Sequence, residues 1–269
     1  MNRIGLIIIA VFACLIAFYY IVIKPEKFIE SDIYDDIMDR GFIKVGINTD
    51  SKPFGFYNEK GELSGYDADL ARYIAQYLFN NRQKVVFVPV TTSNRLIKAS
   101  TGEVDIVIAT LTITPQRMQV IDFSIPYDSA GQSILIKSGS KISSLGDLSG
   151  ENVGVVWGTT AEKNMLNIAP TANVIGFKTY KDAYRALKSD KIIAITSDDT
   201  ILRRFVQEDK DVTLIPKRYS KEPYGIGFKQ GKGADKLKHA LDNAITDLKQ
   251  KNVINRLHKQ WLGGNAEED

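Results

Sequence analysis

Apolar residues recur along this chain with two alternating spacings. β-branched runs of strand length read as strands over 43–47, 85–90, 104–109, 133–137, 152–156, 173–177 and 192–196, since short apolar runs between turn signals suit buried strands. Between them, apolar positions at helical spacing, such as Leu70, Ile74 and Leu78, predict amphipathic helices over 67–78, 93–100, 180–188, 234–249 and 253–261. A hairpin is expected over 57–66, around Glu59, Lys60 and Gly61. Strands alternating with helices imply an α/β fold with largely parallel sheets. The series runs twice. Residues 42–127 with 225–263 are expected as one lobe and 128–224 as a second, and two crossings near 125–131 and 221–227 would make a hinge.

Residues 4–23 fit neither spacing. They carry no charge and match the roughly 20 apolar residues of a membrane-spanning helix. A cleavable signal has a shorter apolar core, about 7–15 residues, and a small-residue cleavage site. Residues 1–24 are therefore expected to stay as a signal anchor in the cytoplasmic membrane, which places the body in the periplasm or on the outer face of that cytoplasmic membrane. Arg3 favours that orientation, and Lys24 and Lys27 weaken the argument. The alternative is a lipoprotein through Cys14, because VFAC loosely resembles a lipobox; Phe12 and the apolar run after the cysteine oppose it. Residues 25–41 read as a charged linker with some helix, and 264–269 as a frayed acidic tail.

At 269 residues the chain suits two lobes better than one core. Its formal net charge of +3 is spread among interspersed acids and bases, so no nucleic-acid partner is expected. A single cysteine excludes a disulfide framework and a thiolate metal site. The two histidines, His239 and His258, fall in lysine-rich C-terminal helices where a solvated face is expected. Phosphate loops, serine elbows and metal-ligand spacings are missing, and no cofactor or metal is expected.

The stretch over 104–127, VDIVIATLTITPQRMQVIDFSIPY, concentrates the chemistry. A buried strand runs into alternating Thr110, Thr112 and Thr114. Pro115 is suited to open a helix with Thr114 as its cap, which would place Arg117 beside free backbone N–H groups and a positive dipole end. A guanidinium there suits a carboxylate. The plain alternative is a surface arginine paired with Asp122.

This segment resembles the one that marks the bacterial extracellular solute-binding proteins of family 3, the receptors of polar amino-acid ABC transporters. The likeness continues, in the family's order, through PFGFYNEKGELSGYDADLARYIA from Pro53, VGVVWGTTAEKNM from Val153, AITSDDTIL from Ala194 and PYGIGF from Pro223, and covers about residues 40–263. It implies a two-lobed periplasmic binding protein of type II, not an enzyme, that acts as a monomer, captures a polar amino acid by lobe closure and passes it to ABC permease subunits. Residue by residue, the resemblance places the α-carboxylate on Arg117 and Thr112. The Ala109 carbonyl would accept from the α-ammonium, with Thr110 beside it. Gly158, Thr159 and Thr160 would offer N–H groups to the carboxylate, and Asp198 would pair with the ammonium. Capping roles stay open for the two threonines and for the Asp198–Asp199 pair. Asn94-Arg95 resembles an element of relatives that bind acidic amino acids, so Arg95 is expected to hold a side-chain carboxylate; its plain reading is an exposed helical arginine. Asn48, Asp50 and Ser51 would shape that pocket, and a ring over the ligand would come from Phe54, Tyr57 or Trp157. Glutamate or aspartate is thus the first expected ligand and glutamine the next.

Two other functions fit the resemblance. One is a cyclohexadienyl dehydratase-like enzyme, with Asp50 or Glu222 as its acid. The other is a sensor acting through a membrane partner.

Overall fold

In the computed structural model, which describes residues 12, 13, 19 and 32–263, the body begins with Asp32 capping helix α1 (Ile33–Arg40). The Asp32 carboxylate accepts from the N–H groups of Tyr34 and Asp35, and Gly41 ends the helix at φ 71°. Residues 33–40, expected as part of a linker, belong to the folded body instead. Ile37 is 1% exposed, Ile33 N–H donates to the Lys232 carbonyl at 3.0 Å, and Lys236 pairs with Asp32 at 2.8 Å. The physical reason is Ile37, which supplies an apolar face that a linker would leave in water.

The chain then forms β1 (Ile43–Asn48), a small antiparallel ribbon of β2 (Asp50–Ser51), β3 (Gly55–Tyr57) and β4 (Leu63–Ser64), helix α2 (Tyr66–Phe79), β5 (Val85–Val90), α3 (Arg95–Ser100), β6 (Ile106–Val107) and β7 (Asp122–Phe123). It crosses through β8 (Asp128–Ala130) into β9 (Gln132–Lys137), β10 (Asn152–Val156), α4 (Thr160–Ile168), β11 (Asn173–Phe177), α5 (Tyr180–Lys188), β12 (Ala194–Asp198), α6 (Asp199–Glu208) and β13 (Val212–Leu214). It returns through β14 (Glu222–Tyr224) to β15 (Gly227–Phe228) and ends in α7 (Ala234–Gln250) and α8 (Val253–Trp261).

Two five-stranded sheets result, ordered β5-β1-β6-β15-β7 and β11-β10-β12-β9-β13. The first pairs β1 in parallel with β5 and β6, and its returning strand β15 runs antiparallel to β6 and β7. The second pairs β10 in parallel with β11 and β12, while β9 runs antiparallel to β12 and β13. Between the sheets, β8 and β14 pair antiparallel, with Tyr224 opposite Asp128. Helices cover the sheets with apolar stripes, as α7 does with buried Leu237, Leu241, Ala244, Ile245 and Leu248.

Three local expectations shift. The strand expected over 104–109 is regular only at Ile106–Val107, with single N–H bonds from Asp105 and Ile108 to β1 on either side, and the chain bends beyond it at Thr110, which has φ 46°. The strand expected over 192–196 lies at Ala194–Asp198, since its register against β9, Ala194 on Ile136 through Asp198 on Gln132, sets its end. His258 is 9% exposed. It packs edge-on to Tyr66 at 6.3 Å and lies 3.9 Å from Asp128, because α8 turns this face inward while its one lysine, Lys259, stays exposed. The expected anchor, Cys14 and the tail over 264–269 lie outside the described residues. No helix among the described residues is long and apolar enough to cross a membrane.

Ile37→Ala should destabilise the protein by about 2–5 kcal/mol, read by urea unfolding, with ligand affinity unchanged. A loss below about 0.5 kcal/mol, the range of ordinary surface substitutions, would return α1 to the status of a linker.

Candidate functional site

Where β6 ends, the chain turns through Ala109 and Thr110 and runs antiparallel to the second crossing. Ile113 N–H donates to the Pro223 carbonyl at 2.8 Å, Gly225 N–H to the Leu111 carbonyl at 3.0 Å, and Thr112 bridges Tyr224. Beyond Pro115 no α-helix follows. Arg117–Gln119 forms a single 3-10 turn, in which the Thr114 hydroxyl accepts from Arg117 N–H at 3.2 Å. Gln116 rather than Thr114 occupies the cap position, so Thr114 only steadies the turn through that bond, and one short turn is too brief to supply the expected helix dipole.

Arg117 is 7% exposed and Arg95 is 2% exposed, so neither is the surface arginine of the plain reading. Both guanidiniums bond to backbone carbonyls. Arg117 Nη1 donates to the Thr112 carbonyl at 2.8 Å. Arg95 Nη1 donates to the carbonyls of Ala109 and Thr110, the latter at 3.2 Å. Their remaining Nη2 groups converge on one atom of the second lobe, the Gly158 carbonyl, at 3.1 Å from Arg117 and 3.4 Å from Arg95. Burial and the neighbouring Arg95 charge bring Arg117 down to about 9, still cationic at neutral pH; burial likewise lowers Arg95. The Ala109 carbonyl, expected to accept from an ammonium, here accepts from Arg95 and from the Thr110 hydroxyl. An ammonium would have to displace one of them.

Gly158 permits this approach. Its φ is 79°, and a Cβ there would sit 2.4 Å from the Thr92 carbonyl oxygen. Next to it, Thr159 caps α4: its hydroxyl accepts from Glu162 N–H at 3.4 Å and donates to the Val156 carbonyl at 2.7 Å. Gly158 N–H donates to the Glu162 carboxylate at 2.9 Å, and Thr159 N–H to Val156 at 3.3 Å. The anion site expected on three successive amides is thereby narrowed, because two of them serve the turn itself. Thr160 is the first residue of α4 and is half-buried. A cavity of about 250 Å³ opens here, with Thr114, Arg117, Gly158, Thr159, Thr160 and Asn164 among its walls.

On the second lobe, Asp198 ends β12 and is 6% exposed; it accepts a hydrogen bond from the Tyr224 hydroxyl. Burial, and then the Glu222 charge, raise its carboxyl to about 7. Asp199 is already saturated by Gly131 N–H at 3.2 Å, Arg203 at 2.9 Å and Arg218 at 3.0 Å. The two adjacent acids therefore differ in purpose: Asp199 ties α6 to β9, and Asp198 faces the arginines closely enough for their charges to interact.

The remaining expected residues scatter. Asn48 closes β1 at 2% exposure, and neither its amide nitrogen nor its oxygen has a hydrogen-bond partner within the protein. Ser51 is buried and reaches Asp50, which is exposed. Phe54 packs edge-on between Tyr66 and Tyr224 at 5.9 and 6.0 Å, as core rather than lid. Tyr57 and Trp157 are 55% and 44% exposed. Two acids are parts of the site that sequence reasoning missed. Glu222, considered only as the acid of an enzyme, is 3% exposed and accepts from Asn164 and Ser220. Asp67, at the start of the helix expected over 67–78, is fully buried and accepts from Thr110 N–H; an acid inside an otherwise apolar helical stripe was the available signal. Among the described residues, no group of three or more His, Cys, Asp or Glu side chains is placed to hold a metal.

Asp67 and Asp198 are both raised to about 7, chiefly by burial. Each binds its proton more tightly in the folded chain than in the unfolded one, so its contribution to stability is full below about pH 4 and is lost as pH rises through about 7. Calorimetric unfolding without added ligand should show a melting temperature that rises from pH 7.5 to pH 5, and Asp198→Asn should flatten that slope. A slope of opposite sign would refute the raised pair.

The signature of the bacterial extracellular solute-binding proteins, family 3, matches residues 43–264. The ABC transporter glutamine-binding protein GlnH of Bacillus subtilis is 36% identical over 241 residues, 89% of this chain and 88% of that protein. The glutamine-binding protein of Geobacillus stearothermophilus is 37% identical over 195 residues, 72% and 74% of the two chains. Among solved structures, the cysteine-binding protein from Campylobacter jejuni matches with a TM-score of 0.82 at 30% identity, over 89% of this chain and 96% of that one. The architecture is that of a type II periplasmic binding protein, and the chain belongs to the bacterial extracellular solute-binding proteins, family 3.

Proposed function

We propose that the protein binds L-glutamine outside the cytoplasmic membrane and delivers it to an ABC permease. The observation that carries this reading is a pair of opposite, buried charges on facing lobes, Arg117 and Asp198, which matches the two charges of an amino-acid zwitterion. Arg117 and Thr112 take the α-carboxylate, with Thr160 at the start of α4, and Asp198 takes the ammonium. The ligand's side chain reaches the carboxyl ends of β1 and β5, where Asn48 lies opposite Val90. A carboxamide without a partner offers one donor edge and one acceptor, the complement of another carboxamide. The glutamine-binding relatives support the same choice, and their being binding proteins favours capture over dehydration.

Glutamate and aspartate, expected first from Arg95, move to second place because Arg95 Nη1 is engaged by two backbone carbonyls. Glutamate keeps one specific argument: the Arg95 Nε is buried with no hydrogen-bond partner. Titration calorimetry against glutamine, glutamate and aspartate should rank glutamine first. Tighter binding of glutamate would transfer the proposal to the acidic ligand, and failure of all three would end it. Arg117→Ala should weaken binding by roughly 30-fold or more, the effect of removing one partner of a buried charge pair at about 2–5 kcal/mol.

Full pairing of the ligand's charges needs both lobes, so the ligand favours the closed arrangement by its differential affinity. Small-angle scattering should show a smaller radius of gyration with saturating ligand. An unchanged curve with binding confirmed in the same sample would mean that the lobes are already closed or that one lobe holds the whole site.

A further inference from the structure

The segment over 109–112 supplies carbonyls to both arginines, yet Thr110 holds its backbone at φ 46°, a conformation that a β-branched residue rarely adopts. Nothing in the Thr110 side chain explains this, since its hydroxyl merely donates to the Ala109 carbonyl at 2.8 Å. Behind the turn lies Asp67, in the first turn of α2 and 0% exposed. Its Oδ2 accepts from Thr110 N–H at 3.1 Å, and its Oδ1 accepts from the Tyr127 hydroxyl at 3.1 Å. On the opposite side, Arg95 Nη1 donates to the carbonyls of Ala109 and Thr110. One residue's backbone is thus gripped at its N–H by a buried acid and at its C=O by a buried base.

We propose that Asp67 is a positioning residue of the ligand site: its carboxylate holds Thr110 in the left-handed conformation and so aims the 109–112 carbonyls at Arg95 and Arg117. Two donors face it, and a carboxylate accepts from both without a competing donor of its own. The helix dipole of α2 favours a negative charge at this position. Tyr127 leads into the first crossing and contacts Tyr66 and Tyr224, with ring centroids at 6.1 and 6.2 Å, so the same carboxylate is fixed to the crossing. The ligand readout below rests on the proposed amino-acid site; the exchange readout does not.

The test uses the full-length chain and the variants Asp67→Ala, Asp67→Asn, Thr110→Gly and Asp67→Ala/Thr110→Gly, with L-glutamine calorimetry and amide hydrogen exchange over 108–112. Asp67→Ala should weaken binding about tenfold or more and speed exchange there while cooperative melting persists. Asp67→Asn should stay within about threefold, since an amide oxygen can accept from Thr110 and its NH₂ can donate to a Tyr127 hydroxyl turned acceptor. In the Thr110→Gly background, where positive φ needs no support, the Asp67→Ala loss should shrink to about threefold or less. Unchanged affinity and exchange in Asp67→Ala would overturn the proposal. So would a loss of the same size in Asp67→Asn that persists when Asp67→Ala is made in the Thr110→Gly background. Should Asp67→Ala fail to fold, the native chain decides: a fast-exchanging Thr110 amide overturns the proposal and a protected one supports it. Arg117→Ala, run in parallel, separates the two ideas, because retained affinity there would refute the site reading while the exchange data still decide the role of Asp67.

Discussion

Two guanidiniums lying side by side out of water, Arg95 and Arg117, impose the constraint that their surroundings answer. Like charges in a low-dielectric setting repel, and an uncompensated buried ion costs several kcal/mol. Part of the compensation is dipolar: the carbonyls of Ala109, Thr110, Thr112 and Gly158 all point their oxygens at the pair. The rest is ionic and comes from a distance, from Asp198 and Glu222 across the cleft and from Asp67 behind the turn. The arrangement is mutual. Asp198 is held up near neutrality by burial and by Glu222, while the Arg95 charge draws it down, so a change in either sign of charge is felt by the other.

The fold exists to make those carbonyls converge. β6 stops after two residues, the turn at Thr110 frees its peptide oxygens from the ladder, and the second crossing then takes up Leu111 and Ile113. From the other lobe, the strand-to-helix turn after β10 brings the Gly158 carbonyl in, which a larger residue would forbid. The acceptors are therefore backbone atoms whose positions are set by two sheets and two crossings rather than by side-chain rotamers.

Much of this could be read from the residues alone. The helices at Tyr180–Lys188 and Val253–Trp261 match their expected bounds, because apolar periodicity is strong in both and Thr179 caps the first. Arg117 and Asp198 were legible because each follows an apolar strand run. What escaped depends on tertiary register. The end of β12 is set by pairing with a strand about sixty residues away, and the bend beyond β6 by one left-handed residue that propensity would not place there. The burial of Asp67, Glu222 and His258 was hidden because a lone polar residue in a helical or strand stripe reads as solvent-facing until the opposing layer is known. Arg95 was found, but its engagement with backbone carbonyls has no counterpart in spacing.

The attachment of α1 also has a mechanical side. Its N-cap, Asp32, is pinned by Lys236 on α7, and its first amide by Lys232; both belong to the segment that packs on the first sheet. A pull on Asp32 is therefore carried first by that lobe. Among the described residues the second lobe is held to the first through the β8–β14 ribbon, the Gly158 carbonyl and the Lys52 contacts with Glu208 and Arg204, so the point where α1 is attached and the hinge to the second lobe are separate parts of one chain.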